Sequence, residues 1–204
     1  MVTREVGVLP PERRRLLIET AAREFARAGY ERASLNRIIR ACGLSKSSFY
    51  HYVASKDALF DMVVTEAGGS LVRTLGLPDP EELAGPDFWA RIAHLLEQLM
   101  VAGEREEMFD DFGRLFYLAD APTGGALDEA RAHIDAWLGQ ALAAGRASAA
   151  VRDDLPASLQ GHITLAVLRA MDDWSLQHMI DLDPRQRQQL ATAQLDAIRR
   201  LLAP

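Results

Sequence analysis

Apolar residues recur along this chain at intervals of three and four, the period of helices with one buried face, and no stretch alternates as a strand does. Pro10-Pro11-Glu12 marks the first helix start, because proline suits a first turn and an acid complements the helix dipole. Leu17, Ala21, Phe25 and Ala28 then follow on one side, and Gly29 ends the run. Ser34 caps a short second helix with Leu35, Ile38, Ile39 and Cys42 on its inner face. Gly43 supplies the left-handed turn, Leu44 plugs the corner, and Ser45 caps a third helix in which Phe49 and Val53 point inward. From Ser55 a longer helix carries Leu59, Met62 and Val63 toward Leu75. It meets Gly68-Gly69, a pair that costs about 1 kcal/mol per residue in a helix relative to alanine, so the pair reads as either the helix end or a hinge.

Gly76 to Pro86, with its prolines, is the clearest loop. Beyond it the pattern predicts an amphipathic helix from Phe88 to Leu99, another from Met108 to Phe116, and a third from Leu127 that stops near Gly145. Two closing helices span Pro156 to Ile180 and Pro184 to Leu202, the last opened by Asp183 as N-cap and Pro184 in its first turn. The expected fold class is all-α: a tail at 1–9, a three-helix head at 10–54, a connecting helix at 55–75, and a helical body at 76–204.

The third helix leaves Lys46, Ser47, Tyr50, His51 and Tyr52 facing out. Hydroxyls, an imidazole and an amine on a slim helix can hydrogen-bond base edges and phosphate oxygens in a major groove. Lys56 adds to this, because a cation at a helix start is disfavoured by roughly 0.3 to 1 kcal/mol and stability does not explain it, whereas a phosphate in front of it does. The candidate DNA-binding set is Ser34, Arg37, Ser45, Lys46, Ser47, Tyr50, His51, Tyr52 and Lys56. On the first helix, Arg13, Arg14, Arg15, Arg23 and Arg27 read mainly as a solvated face salted with Glu19 and Glu24.

Charge sharpens the division. The 204 residues carry a net charge of −6, yet residues 1–60 hold 11 Lys and Arg against 6 Asp and Glu, and the remainder holds 12 against 23. A basic head on an acidic body places nucleic acid at the head alone. No apolar run approaches the roughly 18 to 20 residues of a membrane span, the N-terminus lacks a signal-peptide core, and the chain is read as cytoplasmic. The single cysteine, Cys42, lies on an apolar stripe and reads as a small core residue. No nucleophile elbow, phosphate-cradling glycine loop or metal-ligand spacing is present, and the adjacent acids Asp110-Asp111, Asp153-Asp154 and Asp172-Asp173 diverge on a helix. The expectation is therefore no enzyme, no cofactor and no metal.

The run Ser45-Lys46-Ser47-Ser48-Phe49-Tyr50-His51-Tyr52-Val53 with Lys56, preceded by Ser34 and Cys42-Gly43, resembles the recognition helix of the TetR family of transcriptional repressors. The resemblance covers Glu12 to Phe60, with Ser47 where a glycine is common, Tyr52 where a histidine is common and Val53 where a phenylalanine is common. It implies a helix-turn-helix repressor whose body encloses a small-molecule site and forms a homodimer through the last two helices, where Ala166, Ala170, Ala193, Ala197 and Leu201 lie. It also implies a near-palindromic double-stranded DNA operator, released when the effector binds. The phenylalanine stripe taken alone reads as core. With the resemblance, Phe88, Trp89, Met108, Phe109, Phe112, Phe116, Trp137, Met171 and Trp174 become candidates for binding a hydrophobic or aromatic effector. The alternative is a helical DNA-binding regulator whose body takes a protein partner.

Overall fold

The computed structural model describes residues 9–105 and 107–204, with the side chains of these other than 102–109 and 180. Among the described residues every regular element is helical. In chain order these are α1 (Pro11–Ala28), α2 (Leu35–Ala41), α3 (Lys46–Tyr52), α4 (Lys56–Leu75), α5 (Phe88–Arg105), α6 (Glu107–Phe116), α7 (Ala126–Ala147), α8 (Ala157–His178) and α9 (Pro184–Leu202), with short 3-10 turns at Pro80–Leu83 and Met179–Asp181. The all-α expectation holds. The described residues of Met1–Leu71 and Glu106–Arg131 form one compact unit, and those of Val72–Arg105 and Ala132–Pro204 form a second.

The first unit is organised by rings that its helices cannot leave in water. Leu17, Ala21 and Phe25 of α1, Phe49 of α3, and Leu59, Phe60 and Val63 of α4 are all fully buried, each large side chain contributing about 1.5 to 3 kcal/mol over its exposed state. Phe60 meets the edge of Phe25 at 5.1 Å and Tyr30 at 5.3 Å between ring centroids. Phe112 and Leu115 of α6 and Leu127 of α7 close the same cluster. Leu9, placed in the tail by sequence, is buried here as well; the rest of that tail, 1–8, lies outside the described residues.

Local chemistry sets the helix ends as expected. Ser34 Oγ accepts from the Arg37 N–H at 3.3 Å, and Ser45 Oγ accepts from the Ser48 N–H at 3.0 Å. Gly43 turns the chain between α2 and α3 with φ 63°, a region where a Cβ is strained. In the second unit Asp183 and Gln186 form a reciprocal capping box at the start of α9.

One of the two glycine-pair alternatives is excluded. α4 runs unbroken through Gly68-Gly69 to Leu75, so the pair is not a helix end. A Cβ on Gly68 would lie 3.2 Å from Phe112 Cζ, and the glycine lets the α6 ring sit against the α4 backbone. α7 ends at Ala147, near Gly145 as expected, with Gly145 itself inside the helix. A Cβ there would lie 2.5 Å from Val151 Cγ2 and 3.0 Å from Phe88 Cε2, both in the core of the second unit.

That second core gathers Leu83, Phe88, Ala141, Leu142, Val151, Ile198 and Leu202. The link from α7 to α8 is fixed by buried polar groups with matched partners. Arg146 Nη1 donates to the Leu155 carbonyl at 2.9 Å and to Gln160 Oε1 at 3.0 Å, while Gln160, 1% exposed, donates back to the Arg152 carbonyl at 2.8 Å. Substituting Gly145→Ala forces Val151 and Phe88 to move, an overpacking cost of about 1 to 3 kcal/mol offset by up to about 1 kcal/mol of helix propensity. The expected outcome is a lower thermal midpoint, and an unchanged or raised midpoint would show that the loop absorbs the methyl group.

Candidate nucleic-acid interface

α3 is only seven residues long, too short to persist alone in water. Burial of Phe49 and Val53 anchors its inner side, which leaves Lys46, Ser47, Tyr50 and His51 exposed. The structure therefore brings the expected outward set together on one helix, with one difference. Tyr52 is half-buried and packs against the apolar cluster, its ring 5.0 Å from that of His51. Ser47 Oγ lies 3.0 Å from the capping Ser45 Oγ, which holds the first turn's hydroxyls in a local network. Ser34 and Ser45 serve as caps, so their hydroxyls are engaged by backbone N–H groups.

Arg37 sits in the first turn of α2 and donates from Nη1 to Glu24 Oε2 at 3.1 Å. Glu24 corrects the reading of α1, for it is 6% exposed and does not belong to a solvated face. Its other oxygen accepts from the Ser34 N–H at 3.0 Å, and Arg27 Nη2 adds a third donor at 3.1 Å. A buried carboxylate is stable only when charge and hydrogen bonds compensate it, and here the compensation locks α1 to the start of α2. Cys42 behaves as the small, partly buried residue its stripe implied, its Sγ 3.9 Å from the Leu16 carbonyl. Burial raises its thiol pKa, opposed by a hydrogen bond with Thr20.

Lys56 is the first residue of α4, whose first turn is capped by Ser55 Oγ accepting from the Ala58 N–H at 3.0 Å. The expectation that stability does not explain Lys56 fails. Its Nζ donates to the Glu31 carbonyl at 2.9 Å and stands 4.9 Å from the centre of the Tyr30 ring, and the Tyr30 hydroxyl donates to Asp57. An ammonium has three N–H donors, so the Glu31 bond leaves others for an outside acceptor.

The effector candidates fall into separate groups. Phe88, Trp89, Trp137 and Met171 belong to the second unit's core, with indole N–H groups donating from Trp89 to the Ala150 carbonyl at 2.9 Å and from Trp137 to the Pro78 carbonyl at 3.0 Å. Phe112 and Phe116 belong to the first unit's cluster, and the Arg131 guanidinium lies 5.7 Å from the Phe116 ring. Trp174 is 45% exposed and stacks on His178 at 4.4 Å. The side chains of Met108 and Phe109 lie outside the described residues. A surface groove of about 500 Å³ in the second unit is lined by Pro78, Glu82, Arg91, His94 and other residues, and by none of these candidates. Among the described residues no three His, Cys, Asp or Glu side chains are placed to hold a metal ion, and no helix is long and apolar enough to cross a membrane.

The capped helix pair, its glycine turn and the polar α3 face coincide with residues 17–63, which match the model of bacterial regulatory proteins of the tetR family. This segment is of the tetR-family type. Among curated relatives it is 34% identical over 90 residues to the HTH-type transcriptional repressor Rv1474c of Mycobacterium tuberculosis, covering 42% of this chain and 48% of that one. The chain spans about half or less of the length of the curated relatives it matches. The fold also matches solved structures over nearly the whole chain. A putative tetR family regulator from Shewanella sp. PV-4 aligns with TM-score 0.69 at 15% identity, over 94% of this chain and 98% of that one. AibR, solved in complex with isovaleryl coenzyme A and operator DNA, aligns with TM-score 0.67 at 18% identity, over 90% and 96%. Sequence reasoning missed Glu24 and Tyr30, because the partners that make them matter lie in other elements.

Removing the Glu24 carboxylate leaves the Ser34 N–H and two guanidinium groups without their acceptor. Glu24→Ala is expected to cost about 1 to 3 kcal/mol, the usual penalty for orphaning a buried polar group, measured by urea unfolding. A change within roughly 0.5 kcal/mol, as for an ordinary surface substitution, would return Glu24 to the solvated face.

Proposed function

We propose that this protein is a homodimeric, one-component transcriptional repressor that binds a near-palindromic operator through α3 and is released by a small molecule bound in the helical body. The observation that carries the reading is the exposed face of α3, where Lys46, Ser47, Tyr50 and His51 stand together over a buried Phe49. A face with one cation, one imidazole and two hydroxyls meets both halves of DNA recognition: contacts to phosphate that position the helix and contacts to base edges that read sequence. Lys46, Tyr50, Tyr52 and Lys56 are assigned to phosphate, Ser47 and His51 to base edges, and Arg37 to an additional contact beside its bond to Glu24.

Dimerisation has a physical motive, since one short recognition helix reads few bases and a two-fold pair reads half-sites about one turn apart. Exposed Ala166 and Ala170 on α8 and Ala193 and Ala197 on α9 give small apolar positions on which two copies can pack closely, with exposed Leu159 and Trp174 on the same helix pair. For the effector, the rings of Phe88, Trp89 and Trp137 and the thioether of Met171 supply an apolar wall, and the isovaleryl coenzyme A bound by AibR is an example of a small molecule held on this fold. Release of DNA requires that the effector bind one conformation more tightly, with about 1 to 3 kcal/mol of coupling being typical.

Selection of random duplexes by the purified protein tests the central claim. The expected product is an inverted repeat, whereas enrichment of no motif with only salt-sensitive weak binding would remove sequence reading from α3. On the selected duplex, Lys56→Ala is expected to weaken binding to all variants alike and to flatten the slope of log K against log salt by about one unit, as for one lost phosphate contact. His51→Ala is expected to change the ranking of operator variants, and uniform weakening would move His51 to the backbone.

A further inference from the structure

The α1–α2 turn carries a clamp whose purpose helix capping does not explain. Asp120, in the segment between α6 and α7, accepts from the Tyr30 N–H through Oδ1 at 3.1 Å and from the Glu31 N–H through Oδ2 at 3.0 Å. Each carboxylate oxygen holds one of two successive amides. The fit is close, for a Cβ on Gly29 would lie 2.8 Å from Oδ2, and Gly29 has φ 78°. On its other side the same turn is gripped by Lys56, through the Glu31 carbonyl and the Tyr30 ring. The peptide whose N–H groups bind Asp120 thus carries the carbonyl and the ring that hold Lys56.

We infer that Asp120 is a positioning residue for DNA binding: it fixes residues 30–31 so that Lys56 presents its remaining N–H donors to phosphate. This rests on the reading of Lys56 as a phosphate contact. Glu31 is exposed, so water can satisfy its N–H and the clamp is not required merely to pair it. A carboxylate bonded to the very residues that anchor a phosphate-binding lysine opposes DNA by its charge; what it contributes is geometry. The long lysine stem is otherwise free to rotate, and its two anchors move together only if the turn is held. Asp120 belongs to the segment joining α6 to α7, so a displacement of that segment reaches Lys56 through two peptide units, without any change in α3.

The test is the salt dependence of binding to the selected duplex by the full chain, for the parent, K56A, D120N and the double variant. Asp120→Asn keeps the volume and one acceptor, and its fold is checked by thermal unfolding; Asp120→Ala is read alongside it. The expected result is that D120N lowers the slope of log K against log salt by up to about one unit, as K56A does, and that the double variant falls no further than K56A. A parental slope in D120N beside a lowered slope in K56A overturns the inference and leaves the reading of Lys56 standing. Additive losses in the double variant overturn it as well, because Asp120 then acts elsewhere. An unaltered slope in K56A removes Lys56 from the interface and the inference with it, whatever D120N does. A lower melting point with a parental slope assigns Asp120 to stability alone.

Discussion

Helices of seven residues do not hold their shape in water, because nucleating a helix costs more than two turns of hydrogen bonds recover. Everything this protein presents on α3 therefore depends on the ring cluster beneath it, where Phe49 packs in one core with Phe25 and Phe60. The polar face has no independent existence: it is the remainder of a helix whose other side is committed to that core. The same constraint explains why the cluster draws on Phe112, Leu115 and Leu127 from distant sequence. A three-helix head of some forty residues buries too small a share of its surface to be secure alone, and α6 with the start of α7 extends the core it needs.

Over this apolar base lies a layer of carboxylates that each accept a backbone N–H from another part of the chain. Glu24 joins α1 to the start of α2, and Asp120 holds the turn between them. Asp61 of α4 accepts from the Ala126 N–H at 2.9 Å at the start of α7, where a Cβ on Gly125 would come within 2.5 Å of its Oδ1. Apolar packing is indifferent to rotation and sliding, whereas these bonds are not, so they set angles that the rings leave open.

The helices and their caps were legible in the sequence because their causes are local: Ser34, Ser45 and Asp183 act on N–H groups three residues away, and apolar spacing reports a buried face directly. The outward positions of α3 followed from the same spacing. Gly68 misled for the opposite reason. The helical cost of Gly68 and Gly145 is visible in their own segments, but the compensating contacts with Phe112, Val151 and Phe88 come from other elements. Lys56 was judged against its own helix alone, when its partners are a carbonyl and a ring more than twenty residues earlier. Glu24 shared a helix with arginines and resembled one more surface pair, and only Ser34 folding back onto it makes it a buried anchor. The body aromatics could be named as a set but not sorted, since which core a ring joins is decided by chain topology.

The first compact unit is built from two separated lengths of chain, one ending at Leu71 and the other running from 106 to 131. During synthesis the ribosome delivers these in order, at about 5 to 20 residues per second. For the seconds in which residues 72–105 are being added, Phe25, Phe49 and Phe60 have been joined to the chain but Phe112, Leu115 and Leu127 have not. Until they are, the head lacks that part of its core. Its amides at Tyr30 and Glu31 lack Asp120 over the same interval. The segment from α1 to α4 is thus made before α6 and completed late, which sets a minimum length below which no growing chain has the finished first unit.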